Sequence, residues 1–310
     1  MQLKGNGLFV YSDPAGAKAV LALALEIQSD LSRINIVSDR EYDFVSDFKF
    51  LVKKPALKIE EDFEKNQPSF LFTGTSYTSQ IELKYISFAQ KKKIPTYSFI
   101  DHWTSFKERF SIDNILVFPD KILVIDDRAK SIAVLEGLPE EKIIVFGNPY
   151  YNYLKKWTPK ISKENFLKSI GVNDDSSKIV VFAPEPLSNV DGIAKYGFDE
   201  VTTLNEIKGI LDQNEFSYHF IFKPHPNQKM ERIENSISKK MTVIDVNVDT
   251  NTLIYYSDVI ISFFSNILIE AATMNKRILR YHKIPVNDDP ISELKIGKIV
   301  DKNGFLHELM

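Results

Sequence analysis

Short apolar runs alternate with stretches of helical periodicity along almost the whole of this chain. In the first half, runs rich in β-branched and aromatic residues cover Leu8–Tyr11, Ile34–Val37, Phe70–Phe72, Thr96–Ile100, Lys121–Ile125 and Lys142–Phe146. Between them the periodicity predicts helices over Ala17–Gln28, Gln80–Lys92 and Lys130–Leu135. Gly147-Asn148-Pro149 then closes the last run with strong turn chemistry, and Tyr150 to Asn173 predicts a helical connector with a stop at Gly171. A second series follows, with strands at Lys178–Ala183, Tyr218–Lys223, Met241–Val246, Val259–Ser262 and Arg277–Tyr281. Its helices are predicted around Glu200–Asp212, Met230–Lys239 and Ile267–Met274. Strands alternating with helices predict an α/β protein with parallel sheets. Two doubly wound, Rossmann-like domains facing a cleft, 1–150 and 151–310, best explain the two series.

A chain of 310 residues, 44% of them hydrophobic, suits two well-packed domains of about 150 residues each. No apolar run approaches the roughly 20 residues needed to span a bilayer. The first apolar run meets Ser12-Asp13-Pro14 and so reads as a buried strand and its loop rather than a secretory signal. The absence of cysteine excludes disulfides, thiolate zinc sites and cysteine nucleophiles, and fits a cytoplasmic location. A formal net charge of -3 argues against nucleic acid as a partner, since that grip relies on clustered cations. The run Lys91-Lys92-Lys93 falls where a helix ends and complements its dipole.

Two strand ends carry the chemistry. In an open parallel sheet, ligands bind at the carboxyl ends of the strands. Phe220-Ile221-Phe222 runs into Lys223-Pro224-His225-Pro226, and residues two apart on a strand share a side. Lys223 and His225 are therefore expected to face one ligand, with Pro224 and Pro226 stiffening the loop. The plain alternative is an exposed lysine beside a histidine bonded to backbone. Val259-Ile260-Ile261 runs into Ser262-Phe263-Phe264-Ser265-Asn266 before the next predicted helix. Ser265 or Asn266 can cap that helix, and the same groups suit phosphate oxygens at its N-terminus. Glu270, about one turn inside, is placed for a ribose hydroxyl or simply for the helix dipole. Glu185, at the end of the first strand of the second series, faces a sugar hydroxyl or solvent.

Lys-Pro-His-Pro, followed by Ser-Asp-x-x-Ile-Ser-x-x-Ser-x-x-x-x-Glu-Ala from Ser257 to Ala271, resembles the donor half of GT-B glycosyltransferases. Bacterial surface-polysaccharide enzymes of sialyltransferase-like, Kdo-transferase-like and CDP-glycerol-transferase-like type share such motifs. The resemblance implies a nucleotide-sugar donor in domain 151–310, bound by Lys223, His225, Pro226, Ser262, Ser265, Asn266, Glu270 and Glu185. It implies a carbohydrate or glycolipid acceptor in domain 1–150, no cofactor, and work in the cytoplasm with room for peripheral association at the inner face of the membrane. The oligomeric state stays open.

An inverting transfer needs a base for the acceptor proton, and three residues that follow strands of the first series qualify: Asp13, Asp101 and His102. Asp101 stands first, because His102 beside it can orient the acceptor. Gly74-Thr75-Ser76-Tyr77-Thr78-Ser79 also follows a strand, as a cleft-lining loop or a plain turn. No Asp-x-Asp occurs and no two histidines stand at metal-ligand spacing, so a metal-independent reaction is expected. Gly5-Asn6-Gly7 precedes its strand and is no dinucleotide fingerprint. A UDP-N-acetylglucosamine 2-epimerase, which shares the fold, and a non-catalytic nucleotide-sugar-binding protein are the alternatives.

Overall fold

Both faces of the central strands are covered. Leu8, Phe9, Val10 and Tyr11 are all shut off from solvent, as are Ile179, Val180 and Val181 in the second series. Continuous apolar runs of this kind belong to parallel sheets with helices on both sides. The structure, a computed structural model, describes residues 3–172, 178–287, 289 and 291–309. It divides into unit 1, Met1–Tyr153, and unit 2, Leu154–Met310.

Unit 1 is built from strands β1 (Gly5–Tyr11), β2 (Leu31–Ser38), β3 (Val52–Lys53), β4 (Phe70–Thr73) and β5 (Thr96–Ile100), a small hairpin of β6 (Ser111–Ile112) and β7 (Ile115–Leu116), then β8 (Lys121–Val124) and β9 (Ile143–Val145). Helices α1 (Pro14–Glu26), α2 (Ile59–Asn66), α3 (Ile81–Lys91) and α4 (Asp127–Leu135) connect them, and α5 (Pro149–Leu154) ends the unit. The seven-stranded sheet runs β3-β2-β1-β4-β5-β8-β9, all parallel.

Unit 2 contains α6 (Lys163–Ser169), β10 (Lys178–Phe182), α7 (Gly192–Tyr196), α8 (Glu200–Gln213), β11 (Tyr218–Phe222) and β12 (Met241–Val243). These are followed by α9 (Thr250–Tyr256), β13 (Val259–Ser262), α10 (Asn266–Thr273), β14 (Arg277–Tyr281), β15 (Lys298–Val300) and α11 (Lys302–Leu309). Its parallel six-stranded sheet runs β12-β11-β10-β13-β14-β15. Each sheet reverses its winding once, between β1 and β4 in unit 1 and between β10 and β13 in unit 2. The carboxyl edge at such a reversal is where doubly wound folds bind ligands.

Two expected elements differ. The helix over Met230–Lys239 is replaced by two short 3₁₀ turns, Met230–Arg232 and Glu234–Ser236. The apolar spacing of Met230, Ile233 and Ile237 is real, and Ile233 is fully buried. Ser238, however, donates to the Asp212 carboxylate at 2.8 Å and accepts the Lys240 N–H at 3.1 Å. Such side-chain bonds compete with a helical backbone. The connector from Tyr150 splits into α5 and α6, because Pro159 cannot continue a helix and Ser162 caps α6 by accepting the Asn165 N–H. The end of that connector, Asn173, lies outside the described residues.

The first turn of α1 lies against the loop after β4. A Cβ on Gly74 would stand 3.1 Å from the Gly16 Cα and 3.3 Å from its carbonyl carbon, and backbone gives way less readily than a flexible side chain. Gly74→Ala gains about 0.4–1 kcal/mol from its stiffer unfolded chain and loses roughly 1–3 kcal/mol to overpacking. A net loss of about 1 kcal/mol is expected in urea unfolding. Equal or higher stability of the variant would show that the two segments separate without cost.

Candidate functional site

The carboxyl edge of unit 2 is held together by one carboxylate. Glu185, just beyond β10, accepts the Phe264 N–H at 3.0 Å and the Phe263 N–H at 3.4 Å, and lies 3.0 Å from the Ser262 hydroxyl. That hydroxyl donates to the Ala183 carbonyl at 2.6 Å. Burial pushes the Glu185 carboxyl upward, and these hydrogen bonds oppose the shift. Neither Glu185 nor Ser262 is thus presented to a ligand as expected, because each spends its polar atoms joining β10 to the loop after β13. From the other side, Arg280 Nε donates to the Phe263 carbonyl at 3.2 Å, and His282 Nε2 lies 3.2 Å from the same oxygen. Arg280 is in turn paired with buried Asp289.

This clamp sets the start of α10. Ser265 is its N-cap and accepts the Ile267 N–H at 3.4 Å. Asn266, the first helical residue, is exposed, and Glu270 lies buried one turn further. The backbone N–H of Asn266 and the side chains of Ser265 and Asn266 sit together at the helix N-terminus, where the dipole favours negative charge. Ser257 and Asp258, which open the motif, serve the opposite end of the sheet. Ser257 donates to the Leu253 carbonyl at 2.5 Å, and the Asp258 carboxylate accepts the Ile179 N–H at 2.8 Å.

Beyond β11, the Lys223 side chain is bonded within the protein, and its charge still acts on His225. Lys223 is 7% exposed and its ammonium donates to the Val246 carbonyl at 2.9 Å. The strand ends at Phe222, and the Lys223 N–H still donates to the Phe182 carbonyl of β10 at 3.0 Å. His225 is half-buried and Pro226 exposed. The Asn227 N–H donates to His225 Nδ1 at 3.1 Å, which leaves the ring proton on Nε2 in the neutral form. Burial first, and the Lys223 charge second, hold its pKa below the ordinary histidine value. Glu200, wholly buried at the start of α8, accepts from the Ser188 N–H at 2.9 Å and from Gln228 Nε2 at 3.1 Å. It ties down the loops after β10 and β11 together.

In unit 1 the three base candidates differ in their surroundings. Asp13 accepts from Arg40 at 3.1 Å, the Thr78 hydroxyl at 2.9 Å and the Tyr77 N–H at 3.2 Å. Asp101 is paired with Arg109 at 3.1 Å. His102 Nδ1 lies 3.0 Å from the Thr104 hydroxyl, and the Asp101 and Arg109 charges act on the ring in opposite directions. Burial is the main cause that lowers its pKa, which keeps the ring neutral and able to take a proton at neutral pH. The loop 74–79 is more than a turn, since Tyr77 and Thr78 hold Asp13. Trp103 donates to Asp126, the cap of α4, at 2.9 Å.

Sequence reasoning missed Arg280, His282, Glu200 and Glu82. An arginine inside the apolar run Arg277–Tyr281 was the available signal for the first. Glu82 is 2% exposed, with Oε1 accepting the Ser12 N–H at 2.9 Å and Oε2 unpartnered. Among the described residues no three His, Cys, Asp or Glu side chains gather to hold a metal ion. No helix among them is long and apolar enough to cross a membrane.

Burial, aided by the Asp13 and Asp39 charges, pushes the Glu82 carboxyl from 4.5 to about 8. The folded state therefore holds a proton at pH 7 that the unfolded chain releases. Stability is fully present below pH 4.5 and falls as pH rises to about 8. Glu82→Gln removes that fall, so its stability relative to the parent chain should climb across this range by up to a few kcal/mol and then level off. Melting curves across the range check this. Parallel profiles for the two proteins would rule out a protonated Glu82.

No curated protein sequence matches the chain. Solved structures do match over nearly its full length. UDP-GlcNAc 2-epimerase from Methanocaldococcus jannaschii is 14% identical with a TM-score of 0.67, the match covering 98% of this chain and 91% of that one. The UDP-GlcNAc 2-epimerase from Neisseria meningitidis bound to UDP-GlcNAc is 14% identical with a TM-score of 0.70, covering 97% and 89%. The S. aureus MnaA structure with UDP is 16% identical with a TM-score of 0.66, covering 98% and 86%. At these identities the likeness concerns the fold, which is α/β and GT-B-like. The family model described as CDP-glycerol:poly(glycerophosphate) glycerophosphotransferase matches residues 124–283, from the end of β8 past β14 and across the whole clamped edge of unit 2. With just over half its length matched, the chain belongs to that family.

Proposed function

We propose that this chain is a metal-independent transferase of surface-polymer assembly. It moves a sugar or glycerol phosphate group from a nucleoside-diphosphate-activated donor to a hydroxyl of a carbohydrate or polyol acceptor. Unit 2 takes the donor and unit 1 the acceptor. The observation that carries this reading is the hydrogen bond from the Asn227 N–H to His225 Nδ1, which leaves Nε2–H as the donor of the neutral ring at the carboxyl edge of a parallel sheet, where such folds bind ligands. That donor, with Ser265, Asn266 and the N-terminus of α10, offsets charge on the departing nucleotide phosphate. Glu270 holds the ribose. Family membership and the nucleotide ligands in two of the similar structures support this class of donor.

In the transfer, the acceptor hydroxyl oxygen forms the new bond. The bond from the transferred group to the nucleotide phosphate oxygen breaks, its electron pair stays with the nucleotide, and the hydroxyl proton passes to a base. His102 fits this role better than Asp13 or Asp101, because each carboxylate is engaged by an arginine. The fold likeness to 2-epimerases favours one second reading, sugar-nucleotide epimerisation. An epimerase converts its donor with no acceptor present, so product analysis on a nucleotide sugar alone separates the two.

His225→Ala should lower transfer by on the order of 10²-fold, the usual loss for one preorganised donor. His102→Ala should lower it by roughly 10²- to 10⁴-fold while nucleotide affinity stays nearly constant, since a base acts on the acceptor proton. Turnover assays paired with nucleotide titrations of both variants measure this. Near-normal turnover in folded His225→Ala protein removes the first assignment, and in His102→Ala protein the second.

Protein donors, rather than a bound cation, neutralise the leaving phosphate in this scheme. Turnover should therefore persist in excess EDTA. Complete loss with chelator, restored by Mg²⁺ or Mn²⁺, would overturn the metal-independent mechanism.

A further inference from the structure

The segment that carries His102 also carries a buried arginine. Arg109 sits in a 3₁₀ turn over Glu108–Phe110. Phe106 and Phe110, to either side of it, are wholly buried, and the Phe106 N–H donates to the Glu136 carboxylate at 2.6 Å. These anchors hold the turn in place. The guanidinium is 7% exposed and reaches two strand ends at once. Its Nη1 donates to Asp101, beyond β5, at 3.1 Å, and to the Thr75 hydroxyl and carbonyl, beyond β4, at 3.1 Å and 3.5 Å. The exposed ring of Tyr77 lies over the guanidinium at 4.6 Å and shields that face of the cation from water.

Breaking so buried an ion pair from one side is costly, because the partner left behind stays charged and unmet. His102 follows Asp101 directly, and its ring is half-buried. A free carboxylate beside it would favour the protonated ring. Arg109 opposes this. After burial, the Asp101 charge acts to raise the pKa of the ring and the Arg109 charge to lower it. The remaining charges of the adjoining segments are exposed or engaged. Lys107, Glu108 and Asp127 are exposed. Asp126 accepts from Trp103, Arg128 lies over the same indole at 5.9 Å, and Glu136 holds the Phe106 N–H. Lys130 pairs with Glu140, and Asp13 with Arg40.

We propose that Arg109 is a positioning residue for His102: by engaging the Asp101 carboxylate it offsets that charge at the imidazole and leaves the ring free to accept a proton. Use of the ring as the base rests on the transferase reading above, whereas the balance of charge beside it does not. The plain alternative is a pin that joins the loops after β4 and β5 and nothing more. Such a pin would leave the titration of the ring where it is.

The test is an NMR titration of the histidine rings in the full chain, with the His102 signal identified by its loss in His102→Ala. Arg109→Gln leaves Asp101 uncompensated and should move the His102 midpoint up. Asp101→Asn leaves Arg109 uncompensated and should move it down. Arg109→Lys should keep it near the parent value, and the double variant carrying Asp101→Asn and Arg109→Gln should return it there. Shifts of opposite sign that cancel do not come from loosened packing. No shift in either single variant, or shifts of one sign in both, overturns the proposal. If Arg109→Gln does not fold, Asp101→Asn decides, and a midpoint that fails to fall overturns it. Turnover gives the second readout. Where rate follows the neutral fraction of the ring, Arg109→Gln should be slower by roughly three- to tenfold on the acid side of the profile and far less affected on its plateau. An equal loss at every pH with an unmoved midpoint makes Arg109 a structural group and overturns its role. Should the midpoints move as stated while the acid limb of turnover does not, the charge balance stands and His102 is not the base. Should they move in a protein that turns over no nucleotide donor, the transferase reading alone fails.

Discussion

Parallel strand pairing is the constraint on which the rest of this molecule depends. A parallel strand cannot return by a tight turn, so each must be followed by a crossover, and both faces of the sheet become covered. Every strand then ends in the same direction, and the polar residues that leave the sheet collect along one edge. Ser12 and Asp13 after β1, Asp101 and His102 after β5, Glu185 after β10, His225 after β11 and Ser265 after β13 all arise in this way. Within each unit, their place on one edge of the sheet owes little to local sequence and nearly everything to strand direction and order.

Much of this was legible in the sequence, for a physical reason. A strand buried on both faces is apolar along nearly all its length, and Leu8–Tyr11 and Val259–Ile261 announce themselves as such. Short edge elements do not. β3 has two residues and β15 three, too few for any period to emerge. The candidate site was legible in position rather than in role. His225, Ser265 and Asn266 stand at an edge that strand order alone makes a ligand edge. Glu185 reads from the sequence as a ligand for a sugar hydroxyl or as a loop carboxylate in solvent, because its partners, Ser262 to Phe264, lie almost eighty residues away and no local pattern can reveal them. Lys223 is legible as a cation at a strand end, whereas its bond to the carbonyl of Val246, a residue beyond the next strand, is not.

The structure also separates side chains that resemble one another on paper. Asp13, Asp101, Glu82 and Glu185 are four carboxyl groups near the carboxyl edges of the sheets, and they fall into three states. Two are engaged by arginines. One is buried with a single donor and is held protonated at neutral pH. One is spent on the backbone of a neighbouring loop. Desolvation and hydrogen bonding decide which carboxyl remains available, and neither is visible to a search for acidic residues.

The motif that links this chain to its relatives divides along the same line. Ser257 and Asp258 fasten the amino ends of β10 and β13, and Ser262 seals the carboxyl end of the same pair. Ser265, Asn266 and Glu270 belong to the helix that follows. A signature composed this way reports how a loop is seated between two strands before it reports what the loop touches. It marks a socket, not a reaction. That is why one chain can belong to a family of glycerophosphotransferases and still share its fold with epimerases.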